Sequence, residues 1–165
     1  MNGAHLHLLL NHVPVIGAVG IVLLAFVAWN RQSSELLRTT LLFAAGNAAV
    51  AVVVYLTGDG AEDLVRHLPD VSRAMIERHE DAALVATIAA GALGLASLVA
   101  MFAYRTRTPP RWITPATLLA ALVPVAFMGW AANLGGQIRH TEIRPGAPAV
   151  TVTPRSEASP TSEHS

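Results

Sequence analysis

Four apolar runs, over residues 6–29, 36–57, 82–104 and 112–134, constrain this chain more than any other feature. Each is about 22 residues long, the length a helix needs to cross a hydrocarbon core about 30 Å thick. None carries an acidic or basic residue well inside it. Backbone polar groups in lipid must be satisfied internally, so only helices and closed barrels span a bilayer. Barrel strands are short and alternate in hydrophobicity, which these continuous runs do not. The expected fold is therefore an all-α integral membrane four-helix bundle over residues 1–144, with a partly helical outer loop. A tail at 145–165, rich in Pro, Ser, Thr and Ala, reads as disordered. The composition agrees: 53% hydrophobic and 13% charged residues, with a mean hydropathy of +0.47, are too apolar for an ordinary soluble domain.

Several classes of function lose support at once. With no cysteine, the chain by itself offers no disulfide, iron–sulfur cluster or covalently attached haem. A net charge of zero gives no argument for nucleic acid. The serines lie in no nucleophile elbow, and the glycines follow no strand that would make a phosphate loop. The first run has no basic residue before Arg31 and is too long for a typical signal peptide, so it reads as a retained span.

Arginine placement predicts an orientation. The short segment between the first two runs carries Arg31 and Arg38, and that between the last two carries Arg105, Arg107 and Arg111. The 58–81 segment also has arginines, but seven acidic residues dilute them. The two short loops are expected to face the cytoplasm, with both termini on the periplasmic side of a bacterial inner membrane. His5, His7, His12, His67, His79 and His140 then all fall at the outer end.

Local signals refine the elements. Pro14 near the start of the first run is cheap if the helix begins nearby and kinks it otherwise. Asn47, near mid-membrane, asks for an interhelical hydrogen bond. Gly58 is expected to close the second helix, with Asp59-Gly60 as a turn. Pro69 breaks the outer segment, and Asp70 or Ser72 is placed to cap a helix running into the third span. Gly91, Gly94 and Ser97 recur along one face, as close packing requires. Gly135-Gly136 reads as a cap or a close-approach point, and Pro115 and Pro124 suggest a bent fourth helix.

The histidines carry the functional signal, because an imidazole in a span asks for a partner. One helix alone makes a poor chelate of His7 and His12, so a site needs other spans: His79 at the mouth of the third, His140 at the mouth of the fourth. Haem b is the first expected ligand, since bundle cores form slots for it and one or two imidazoles suffice. His12 and His79 are the first choice as axial ligands, with His140 and His7 second. Arg78, Arg139 and Arg144 are placed to meet propionates. Copper or zinc on His12, His79, His140 and Glu80 is the rival. Taken singly, His5, His67 and His164 read as ordinary interfacial residues.

Four motifs in order extend this reading: His7-x4-His12-x-Pro14, "LTGDG" at 56–60, "RHEDAAL" around His79, and "LGGQIRH" at 134–140. Over residues 5–142 the pattern resembles the DUF2231 family of small bacterial four-span membrane proteins. That family often has proline directly after its first histidine, where this chain has Leu8. The resemblance implies His7, His12, His79 and His140 as site residues. Some family members stand joined to or beside redox modules, which implies electron transfer and a redox partner.

The resulting expectation is a b-type haem protein passing electrons at the periplasmic side. The alternatives are a non-redox accessory or structural subunit of a larger membrane complex, and, last, a metal-ion binding or transport protein. Transport ranks last because no span carries a mid-membrane carboxylate.

Overall fold

A computed structural model describes residues 3–146 of the chain. The remainder of the expected tail, with His164, lies outside the described residues. Six α-helices follow in order: α1 (Gly3–Leu10), α2 (His12–Arg31), α3 (Ser34–Leu56), α4 (Gly58–Val65), α5 (Arg73–Ala103) and α6 (Ile113–Arg139). A 3-10 turn, Thr141–Ile143, completes the path. Four helical stretches are long and apolar enough to cross a membrane: Gly3–Arg31, Ser34–Val65, Arg73–Ala103 and Ile113–Arg139. The chain is a multi-pass membrane protein of four packed helices.

The ends of these helices have identifiable causes. Pro14 has no N–H to return to the Leu10 carbonyl, and the α1–α2 boundary falls there, at Asn11. Asn11 itself keeps helical dihedrals, so α1 runs on into α2 almost without interruption. At the opposite end, Gln32 is left-handed (φ 49°) and its N–H caps the Ala28 and Trp29 carbonyls. Ser33 then accepts from the Leu36 N–H and starts α3, giving a tight antiparallel turn.

The outer segment departs from the sequence reading in two places. Asp59-Gly60 makes no turn: Thr57 bonds back to the Val53 and Val54 carbonyls, and α4 begins directly at Gly58. Gly60 serves close approach instead, since a Cβ there would stand 2.9 Å from the Ala4 backbone nitrogen of α1. Of the two candidate caps, Ser72 starts α5 by accepting from the Met75 N–H, while Asp70 sits in a left-handed turn (φ 64°). The helix begins nine residues before the apolar run and lifts His79 clear of it.

The four long helices form a ring in the order α2, α3, α5, α6, each packed antiparallel on two neighbours. The starts of α2 and α5 and the ends of α3 and α6 share one end, capped by α1 packed on α4. The interior is built from small residues: Ala18, Ala51, Ala82, Ala86, Ala90 and Ala131 pack with Met128. Large apolar side chains face outward, among them Ile16, Leu23, Phe26, Ile88, Leu95 and Leu119. This inverted pattern suits lipid, where association rests on close packing rather than on hiding apolar surface from water.

Three of the four buried polar residues, Asn47, Thr40 and Thr117, are hydrogen-bonded, while the Ser97 hydroxyl has no partner among the described residues. The Asn47 amide donates to the Pro14 carbonyl (3.1 Å), which supplies the interhelical bond its position asks for. A Cβ on Gly17 would overlap that amide, so glycine lets α2 and α3 close over it. Gly94 leaves similar room for Ala48, whereas Gly91 looks into open space. Thr40 and Thr117, both buried, donate back to the Leu36 and Ile113 carbonyls.

Candidate functional site at the capped end of the bundle

Two histidines face inward at the capped end. On α2 the buried face runs through Pro14, Ala18, Ile21, Ala25 and Ala28. Seven residues before Pro14, two helical turns back, is His7. On α5 the buried face runs through Ile76, Ala82, Ala86 and Ala90, and His79 falls on it by the same spacing. Both imidazoles are partly buried.

Each ring is fixed by a backbone carbonyl of a neighbouring helix. His7 Nδ1 lies 2.9 Å from the Val54 oxygen of α3, and His79 Nδ1 lies 3.0 Å from the Ala131 oxygen of α6. A carbonyl only accepts, so Nδ1 carries the hydrogen in both rings and donates it. In the neutral ring the lone pair is then on Nε2. Gly135 makes room for His79, since a Cβ there would stand 2.9 Å from its Cε1. A Cβ at Gly58 would meet the His7 ring only at ordinary contact distance, 3.8 Å. One turn after His7, the Asn11 side-chain oxygen is buried without a hydrogen-bond partner among the described residues.

The other expected site residues go elsewhere. His12 is exposed, on the stripe that continues through Ile16, Val19 and Leu23, all outward-facing. The spacing of four, seven and eleven residues puts them on one side of α2, away from the bundle. This corrects its assignment as first axial ligand. His140 ends α6 and, at the surface, contacts the Glu142 carboxylate across 2.9 Å. Glu142 is held below the usual carboxylate range, first by its own backbone N–H and then by His140. Glu80 faces Glu62 of α4, with Asp59 and Asp81 nearby. Among the described residues no three His, Asp or Glu side chains gather to hold a metal ion. The expected set of His12, His79, His140 and Glu80 is thus not brought together. Arg78 is exposed beside His79, while Arg139 lies in a groove that no histidine lines.

The signal that separates His7 from His12 was present in the sequence. Mostly small residues at 14, 17, 18, 25 and 28, with Ile21 among them, mark the packed side of the first span, and bulky ones at 16, 19, 23 and 26 mark the lipid side. Position along the span says nothing about which side a residue faces.

No protein-family model, curated protein or solved structure matches the chain. The likeness to DUF2231 therefore rests on the four motifs alone.

Proposed function

We propose that the chain binds b-type haem through His7 and His79 and passes electrons at the periplasmic side of a bacterial inner membrane. One observation carries this reading. Two imidazoles from different helices each give Nδ1–H to a carbonyl, the arrangement that orients a ligating histidine and leaves Nε2 for a metal. The donor set suits haem better than a bare ion. Haem asks the protein for one or two ligands to the iron, whereas structural zinc takes four protein ligands and catalytic zinc three. Bound there, haem would supply one-electron chemistry. His7 and His79 would hold the iron, the Val54 and Ala131 carbonyls would fix the ring planes, and Arg78 would meet a propionate. The orientation rests on the arginines of the two short loops.

The same hydrogen bonds favour a second reading. They tie α1 to α3 and α5 to α6, which is what a structural subunit of a larger membrane complex would need.

The absorption spectrum of the full chain, expressed with haem supply, separates the two. The haem reading predicts a Soret band that shifts on reduction, is lost or displaced in His7→Ala and His79→Ala, and persists in His12→Ala. A colourless protein, or one whose spectrum ignores both inward substitutions, overturns it and leaves the structural reading.

A further inference from the structure

A second site lies beside the capped end, where α6 leaves the apolar layer. A groove of about 220 Å³ opens between the turn after α4 and the end of α6. Its apolar lining includes Leu68, Val71 and Ile138, and its polar lining Arg139, Arg144 and Thr141. Ile138 follows the last apolar run, ending at 134, by one helical turn, about 6 Å along the axis. That height puts the groove at headgroup level, with apolar and cationic side chains in one lining.

The two arginines differ in how they are held. Arg144 donates from Nε to the Gln137 carbonyl (2.8 Å) and from Nη2 to the Ile138 carbonyl (3.2 Å). These bonds close the last turn of α6 and fix the guanidinium plane, and they leave Nη1 free to donate. The Arg139 side chain makes no hydrogen bond or ion pair among the described residues. The nearest acid on the 3-10 turn, Glu142, is engaged by His140, although it also feels Arg144. Among the described residues, two cations, one without a side-chain partner and one preset, thus face a groove whose lining contains no carboxylate.

We propose that this groove binds the headgroup of an anionic phospholipid. Charge complementarity supports a net negative headgroup, and the apolar part of the lining accommodates the start of an acyl chain. Thr141 adds a hydroxyl for the phosphate. Cations at this level are worth about 1 kcal/mol each toward anionic lipid, or about five-fold in affinity. The site shares no histidine with the haem proposal and stands or falls separately from it.

Native mass spectrometry of the full chain released from detergent tests this, with dioleoyl-phosphatidylglycerol and dioleoyl-phosphatidylcholine added in turn. The expected result is one phosphatidylglycerol retained in preference to phosphatidylcholine, with retention about five-fold weaker in Arg139→Gln and again in Arg144→Gln. The Arg139 side chain makes no hydrogen bond or ion pair among the described residues, so Arg139→Gln removes the charge without breaking a bond of the described fold. Millimolar inorganic phosphate is expected to leave the lipid in place. Equal retention of both lipids, retention indifferent to Arg139→Gln, or displacement by phosphate would each overturn the proposal.

Discussion

At the scale of single residues, glycine and asparagine decide how α2 and α3 meet. Asn47 is worth having in the bilayer only because Pro14 offers a carbonyl across the interface, and Gly17 allows the amide to reach it. Interhelical bonds of this kind contribute about 0.6 kcal/mol on average in membrane bundles, so the packing around the bond matters as much as the bond. Gly17→Ala would push a methyl into the Asn47 amide and should cost about 1–3 kcal/mol. Gly91→Ala, facing open space, should be neutral or slightly stabilising. Thermal unfolding of both variants in the same detergent checks this: the Gly17 variant should melt well below wild type and the Gly91 variant at or above it.

At the scale of elements, much of the fold can be read in the sequence and the reasons for the rest are local. The four spans follow from run length, and the Gly135 approach to His79 from a glycine pair at a helix end. The turn expected at Asp59-Gly60 is missing because a Gly-Asp-Gly stretch is equally able to open a helix when Thr57 caps the one before it and α1 needs a close neighbour. The site was harder to read, since the sequence places six histidines at one end without saying which face inward. Only the small-residue stripe, extended back to His7, resolves that. The start of α5 sets how far His79 is lifted, and Ser72 sets that start. Ser72→Ala should cost about 1 kcal/mol. Amide hydrogen exchange should show faster opening confined to the first turns of α5; an unchanged pattern there would mean that the cap contributes nothing.

At the scale of the whole molecule, the ring of antiparallel helices puts every expected ligand at one end and the arginine-bearing short turns at the other. Arg38 reinforces that second end by donating to the Tyr104 and Arg107 carbonyls (2.8 and 3.1 Å), which binds the two short turns together. Because the chain has no cysteine, single cysteines at Gln32 and Asp63 can be labelled in intact cells without a background variant. An impermeant reagent should reach the Asp63 position and not the Gln32 position; the reverse would invert the orientation. The central claim concerns the two inward imidazoles, and electron paramagnetic resonance of the oxidised, haem-loaded full chain tests it most directly. The account predicts a low-spin signal of bis-histidine ligation that converts to high spin when either His7 or His79 is replaced by alanine and is unchanged in His12→Ala. A low-spin signal that survives both inward substitutions, or that is lost only with His12, would contradict it.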